Sequence, residues 1–202
     1  MISISRIRGI LLEPRREWQA IDAESTTTAA LYSGWIAPLA AIGPIASFIG
    51  LSFVGFTLPF GGGRIVVPVT TGLAGAIVRY VGALVGAYIL AVVIDYLAPK
   101  FGGQPNRIQA LKVSAYSGTA AWLAGIFGII PALGILSLLG LYSLYLLYLG
   151  LPVLMKSPAE RSLPYTIVVV VVAIVIFICL GLVSSLMLRI GGVGTYPTGL
   201  GR

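Results

Sequence analysis

ALKVSAYSGTAAWLAGIFGIIPALGILSLLGLYSLYLLYLGLPVLMKSP, residues 110–158, is the stretch that decides the fold. Two apolar runs of 23 residues, Ile108–Ile130 and Ala132–Leu154, meet at Pro131 with no polar spacer. A helix rises 1.5 Å per residue, so about 20 residues cross the roughly 30 Å hydrocarbon core of a bilayer. Two such helices with so short a link must run antiparallel. The stretch predicts a transmembrane hairpin and leaves open whether Pro131 is a full turn or a re-entrant break.

The composition of the whole 202-residue chain is that of an integral membrane protein. Hydrophobic residues make up 58% and charged residues 9%, and the mean hydropathy is +1.02. A soluble domain has about 25% charged residues. The net charge of +7 comes from 13 Lys and Arg residues scattered between apolar runs, without the basic block of a nucleic-acid surface. We therefore expect the lipid bilayer, including anionic lipid, as the partner, and no nucleic acid.

Hydropathy predicts an all-α, polytopic membrane protein with five transmembrane helices and short amphipathic N-terminal helices. The predicted domains are a cytosolic segment over residues 1–30, a five-span domain over 31–188 and a flexible Gly-rich tail over 189–202. Residues 58–63 are predicted to form a turn, and Pro38 and Pro44 should bend the first span. The five predicted spans are residues 31–56, 67–97, 108–130, 132–154 and 164–188.

The N-terminal segment carries two short amphipathic helices, one before Pro14 and one that begins there. Neither is long enough to span a membrane. We expect both to lie in the cytosolic headgroup region with Trp18 as an interfacial anchor, and a loose cytosolic tail is the alternative. The segment lacks the separate apolar core and cleavage site of a signal peptide. Residues 25–28 offer hydroxyl groups as N-caps for the next helix.

The distribution of Lys and Arg predicts the orientation of the chain. If the N-terminus is cytosolic, nine basic residues fall on the cytosolic side and three on the outer side, which the positive-inside rule favours. The N-terminus is therefore predicted to be cytosolic and the C-terminus outside. The cytosolic set is Arg6, Arg8, Arg15, Arg16, Lys100, Arg107, Lys112, Lys156 and Arg161, and the outer set is Arg64, Arg189 and Arg202.

Arg79 is the sharpest anomaly, because it lies about 12 residues, or about 18 Å, inside the second span. Burial of an arginine at the centre of a membrane helix costs about 3 kcal/mol on insertion scales. We expect Arg79 to face the bundle or a subunit interface as an anion, headgroup or proton-pathway residue. The alternatives are a structural arginine bonded to backbone carbonyls at a proline kink and one that snorkels to water. At 100° per residue it shares a helix face with four glycines expected at helix-packing positions: Gly72, Gly75, Gly82 and Gly86.

Further polar residues complete a candidate intramembrane polar site with Arg79. Asp95 ends the same helix about 24 Å from Arg79, so the two cannot pair, and Asp95 should have a cationic partner on the cytosolic side. Tyrosines of the third and fourth spans either line a polar path or pack between helices. These tyrosines are Tyr116, Tyr142, Tyr145 and Tyr148.

The sequence holds no pattern typical of catalysis or metal binding. There is no histidine, and Cys179 is the single cysteine. Serine-nucleophile motifs and phosphate-binding glycine loops are missing. We therefore expect no enzyme activity, no metal and no cofactor.

Residues 140–158, GLYSLYLLYLGLPVLMKSP, are followed by Leu163, Pro164, Tyr165 and a valine run. This pattern resembles the bacterial branch of the Yip-domain family, which is named for binding Ypt/Rab GTPases in eukaryotes. The resemblance implies a five-span helical bundle in the bacterial inner membrane.

The N-terminal segment of the chain also resembles this family, through the spacing of Pro14, Trp18 and Ile21. Eukaryotic members act in Golgi and endoplasmic-reticulum vesicle traffic and have a long cytosolic N-terminal region, which is about 30 residues here. GTPase binding is therefore not carried over to this chain. Family members usually have a proline near Ala120–Ala121, where this chain has alanine.

Two functions are compatible with the sequence. The first is a non-catalytic membrane protein that binds other membrane proteins or lipids and organises or traffics membrane components. The second is an oligomeric ion channel or small-solute transporter that uses Arg79 and the tyrosines of the fourth span. Five spans show no inverted repeat, so a transport pathway would require a homo-oligomer. We prefer the first.

Overall fold

The computed structural model describes residues 3–57 and 64–190. Over these residues the chain is helical apart from one antiparallel pair of two-residue strands, which confirms the all-α class. Within the described residues four helical segments, not five, are long and apolar enough to cross a membrane. They are Thr28–Val54, Val69–Phe101, Pro131–Met155 and Ala159–Cys179.

The difference from the predicted five spans lies in the third span, which is helical but broken. Gly118 separates α7 (Arg107–Ser117) from α8 (Thr119–Ala124), and a 3₁₀ turn over Gly125–Ile129 follows. Glycine inside a helix costs about 1 kcal/mol relative to alanine. Since α7 also carries two basic side chains and a glutamine, no single long apolar helix forms here.

The chain breaks its helix at Pro131, where the hairpin was predicted. Ile130 has an extended backbone, as expected for the residue before a proline. A 3₁₀ helix over Pro131–Leu141 then packs back against α8. The α-helical part of the fourth span is only α9 (Tyr142–Met155), so the prediction of two regular 23-residue helices is wrong in detail.

The first span is irregular around its prolines. Pro38 and Pro44 cannot donate the backbone hydrogen bond of a regular helix, and π-helical turns and a break at Ala41 interrupt the segment. Thr27, one of the predicted N-cap residues, accepts a hydrogen bond from the Ala30 amide at 3.2 Å. The segment comprises α3 (Thr28–Leu31), a π-turn (Tyr32–Ile36), α4 (Ala37–Ala40), α5 (Ile42–Ile49) and a second π-turn (Gly50–Val54).

Two long helices, α6 (Val69–Leu97) and α10 (Ala159–Ile190), pack against each other, and α6 also contacts α5 and α7. We call the end of the bundle at which α6 finishes and α10 starts the Leu97 end, and the opposite end the Val69 end. At the Val69 end, β1 (Phe56–Thr57) pairs with β2 (Arg64–Ile65). The predicted turn at residues 58–63 and residues 191–202 of the predicted tail lie outside the described residues.

The N-terminal helices α1 (Ile4–Leu12) and α2 (Pro14–Ala23) form a hairpin that packs against α9. Tyr142 donates a hydrogen bond to the Leu11 carbonyl at 3.0 Å, and Lys156 pairs with Asp22. Tyr142 and Lys156 are 14 residues apart, so the hairpin follows α9 for about 20 Å.

Trp18 differs most from the prediction for the N-terminal segment, because its side chain is wholly buried in the protein. The indole fills the notch that Gly150 leaves in α9: a Cβ added to Gly150 would lie 2.6 Å from it. Its ring also meets Tyr116 edge-on at 6.3 Å. Trp18 is therefore a core residue, and the prediction of an interfacial anchor is wrong.

Candidate functional site

Arg79 lines a cavity of about 580 Å³ between the first span, α6, α8 and α10. Glycines and alanines form much of its wall, together with Pro44 and Ser47 of α5. The larger apolar side chains in the wall are Val78, Trp122 and Phe177. The wall contains no Asp or Glu among the described residues, so Arg79 makes this cavity cationic.

The Arg79 side chain is exposed and folds back over Gly75. A Cβ added to Gly75 would lie 3.5 Å from a guanidinium nitrogen. Because helical side chains point toward the helix N-terminus, this places the guanidinium toward the Val69 end. Within residues 3–57 and 64–190 the structure gives it no hydrogen-bond or ion-pair partner.

The four glycines on the Arg79 face have different surroundings. Gly72 packs closely, since an added Cβ would clash with the Ser52 hydroxyl. Gly75 makes room for Arg79 itself, and Gly86 is buried. Gly82 makes no close helix contact within this chain, since an added Cβ would meet nothing within 4 Å and the position faces the cavity.

A second cavity, of about 160 Å³, adjoins the first and shares Ala83, Ala121, Trp122 and Phe177 with it. The two neighbouring cavities follow one another along α6 and make a groove whose α6 lining residues extend from Gly75 to Leu90. That distance is 15 residues, or about 22 Å. We call this groove the Arg79 cleft.

The hydroxyl groups in the second cavity are already engaged within the protein. Ser114 donates to the Ala87 carbonyl at 2.7 Å, and Ser117 donates to the Ser114 carbonyl at 3.4 Å. Ser143 accepts from the Ala121 amide at 2.9 Å. Away from Arg79, the cleft therefore presents a mostly apolar wall.

Asp95 lies at the Leu97 end with its carboxylate 3.4 Å from the Arg107 guanidinium. Arg107 also donates to the Tyr88 hydroxyl at 3.3 Å. The structure thus supplies Asp95 with Arg107, one of the cations predicted on the cytosolic side, and does not bring it to Arg79. The Asp95–Arg107 ion pair therefore links the end of α6 to the start of α7.

The candidate tyrosines do not join Arg79 either. Tyr116 is buried beside Trp35, with ring centroids 4.7 Å apart. Tyr142 bonds to the N-terminal hairpin, whereas Tyr145 and Tyr148 are exposed. Within the described chain, none of the four tyrosines lines the Arg79 cleft.

Lys112 is a buried residue whose role the sequence analysis missed. Only 3% of it is exposed, and its ammonium group donates to the backbone carbonyls of Ile21 and Glu24, the first at 2.8 Å. Ile21 lies in the last turn of α2 and Glu24 just follows it, so a cation there satisfies terminal carbonyls and suits the helix dipole. The sequence signal is a lysine one turn into α7 among small and apolar residues.

Other polar and charged side chains near Lys112 also hold the N-terminal hairpin, through its carboxylates. Gln109 donates to the Asp22 carboxylate at 3.0 Å, and Lys156 pairs with that carboxylate. Arg6 of α1 bridges Glu17 at 2.7 Å and also pairs with Glu24. These charges link α1, α2, α7 and the end of α9.

Comparison with known proteins identifies related sequences. A model of the Yip1 domain matches residues 8–180. The inner membrane protein YohC of Escherichia coli K12 is 31% identical over 124 residues, which cover 61% of this chain and 63% of YohC. YohC of Escherichia coli O6:H1 gives the same values, so the match spans less than two thirds of these relatives. No solved structure is significantly similar.

Proposed function

The chain belongs to the Yip1 domain family, and on that premise we propose that it is a non-catalytic membrane protein that binds lipids or other membrane proteins. Through this binding it organises or traffics membrane components. The coarser conclusion, a polytopic membrane protein related to an inner membrane protein, follows from the apolar helices and the match to YohC.

Arg79 is the observation that carries the proposal. A cation inside a membrane span is costly and normally has a partner. Lys112 and the Asp95–Arg107 pair have theirs within the protein, whereas Arg79 faces a cleft with no acidic group among the described residues. The cleft also lacks a nucleophile paired with a base within the described chain, which supports binding rather than catalysis.

We extend the proposal to five crossings with a cytosolic N-terminus, a membrane domain over residues 31–188 and residues 189–202 on the outer side. Residues 108–130, the third predicted span, also cross the membrane in this proposal despite the break at Gly118. Support comes from the charge distribution, since Arg107, Lys156 and the N-terminal hairpin all lie at the Leu97 end. On a Cys179→Ala background, cysteines placed at the exposed positions Ser5 and Ala159 should both react only from the cytosolic side.

An oligomeric channel has less support than a binding protein. A channel of the kind considered above needs Arg79 and the tyrosines of α9 along one pathway. The tyrosine side chains, however, lie outside the Arg79 cleft. Tyr142 instead uses its hydroxyl to hold the N-terminal hairpin.

The decisive experiment compares binding with flux. The purified protein and its Arg79→Ala variant are placed in liposomes, and the movement of common cations, anions and protons is recorded. In parallel, lipids and membrane proteins that co-purify from the membrane are identified by mass spectrometry. We expect retained lipid or protein partners and no flux above empty liposomes. Flux that Arg79→Ala removes would instead establish the channel.

A further inference from the structure

We propose that the Arg79 cleft binds a phospholipid from the leaflet at the Val69 end. Arg79 binds the lipid phosphate, and one acyl chain lies along the cleft toward the Leu97 end. This inference rests on the proposed binding function and names its ligand class, its leaflet and its orientation.

The charge of the cleft selects for an anion. Arg79 presents a planar set of N–H donors that matches the oxygens of a phosphate. Within residues 3–57 and 64–190 no carboxylate competes for these donors. The guanidinium points toward the Val69 end, where lipid headgroups of that leaflet lie.

The shape of the cleft selects for an amphiphile. The guanidinium lies near one end of the cleft, and the mostly apolar wall extends along α6 for about 22 Å from Gly75 to Leu90, through the middle of the bilayer. A phospholipid in the leaflet at the Val69 end has its charged headgroup at that end and its acyl chains directed toward the middle of the bilayer, which matches this arrangement. The apolar depth of one leaflet is about 15 Å, half of the hydrocarbon core, so an acyl chain fits within this length.

The cleft is also accessible from the side of the bundle. Phe177 of α10 lines both cavities and is 61% exposed, and Gly181 one turn further on is exposed as well. Arg79 itself is exposed on α6. The cleft is therefore open to the side at these positions, and a lipid can reach it from the bilayer without crossing the protein.

A free inorganic anion fits the cleft less well than a lipid. Its phosphate could contact Arg79, but the apolar wall from Ala83 to Leu90 would then have no matching group. Two ligands separate these cases: phosphatidylglycerol carries a phosphate and two acyl chains, whereas diacylglycerol carries the chains alone.

Two variants test the cleft without relying on one side chain. Arg79→Ala removes the cation. Gly82→Leu leaves the cation and fills the cleft, and it should fold because nothing lies within 4 Å of the added Cβ. Gly134→Leu is the matched control, since Gly134 also has open space around an added Cβ but lies outside the cleft.

The experiment measures how tightly the detergent-purified protein retains each lipid, by native mass spectrometry, and thermal unfolding confirms that each variant is folded. We expect wild type and Gly134→Leu to retain phosphatidylglycerol at least about tenfold more tightly than diacylglycerol, as the loss of one charge-assisted hydrogen bond implies. Arg79→Ala should remove this preference, and Gly82→Leu should weaken binding of both lipids.

The other outcomes overturn the inference in distinguishable ways. Equal retention of phosphatidylglycerol by wild type, Arg79→Ala and Gly82→Leu would exclude the cleft while lipid binding itself stands. Displacement of the lipid by millimolar inorganic phosphate would assign Arg79 to a free anion. Retention of neither lipid nor membrane proteins by the wild type would remove the proposed function as well.

Discussion

Each end of the bundle has a cationic side chain on a helix, and the two cations have opposite surroundings. At the Leu97 end, Lys112 is almost fully buried and donates to two carbonyls at the end of α2. Toward the Val69 end, Arg79 is exposed in a cleft and has no partner among the described residues. The first charge holds the protein together, and the second remains available to a ligand.

The backbone shows the same contrast. Close to the Leu97 end, α2, α7 and α9 pack around Trp18, and Gly150 gives the indole its place. Toward the Val69 end, the first span finishes in a π-turn over Gly50–Val54, and an 11-residue 3₁₀ helix begins at Pro131. Stability should therefore reside at the Leu97 end, while the irregular part leaves room for the cleft. Single substitutions can test this division.

The largest effect is expected for Trp18→Ala. Removal of a buried tryptophan typically costs about 3–5 kcal/mol, because the lost contacts leave a cavity. The free energy of unfolding, measured by denaturant titration in detergent micelles, should fall by that amount. Leu12→Ala is the control, since Leu12 is 77% exposed and its loss should change little. Equal effects of the two substitutions would mean that the hairpin is not docked on α9.

The next effect is expected for Lys112→Met, which keeps the length of the side chain and removes its charge. A hydrogen bond to a charged group contributes about 1.5–3 kcal/mol, and the Ile21 carbonyl would lose its donor. We expect a loss of about 2–3 kcal/mol, together with faster hydrogen exchange in α2. Lys100→Met serves as the control because Lys100 is exposed. Unchanged exchange in α2 would show that Lys112 does not tether the hairpin.

The fold class and the approximate spans could be predicted because apolar runs have a length that only a membrane explains. The third span was predicted as one regular helix, and this was wrong. The helix is broken at Gly118, and Lys112 places a charge in a run that is apolar on average. Arg79 could be singled out from its local surroundings alone. The roles of Trp18 and Lys112 could not be predicted, because each depends on a contact with a residue far away in the chain: Gly150 for the indole and Ile21 for the ammonium group.

A smaller effect is expected at the Asp95–Arg107 pair. Arg107 is more than half exposed, and exposed ion pairs contribute about 0–1 kcal/mol. Asp95→Asn and Arg107→Gln should each lower the free energy of unfolding by less than about 1 kcal/mol. A double-mutant cycle isolates the pair from other losses. A coupling energy above about 2 kcal/mol would contradict this and would mean that the pair stabilises the fold as much as Lys112 does.

The smallest effect on stability is expected for Arg79→Ala, although Arg79 is the costliest residue to place in a span. In micelles the unfolded helices remain inserted, so the cost of holding the cation in an apolar phase is present in both states and cancels. Since the described structure gives the guanidinium no partner, its removal should change the free energy of unfolding by less than about 0.5 kcal/mol. A loss above about 2 kcal/mol would make Arg79 a structural residue like Lys112. Both ends of the bundle would then use their cation to stabilise the fold, and the cleft would have no unpaired charge for a lipid phosphate to bind.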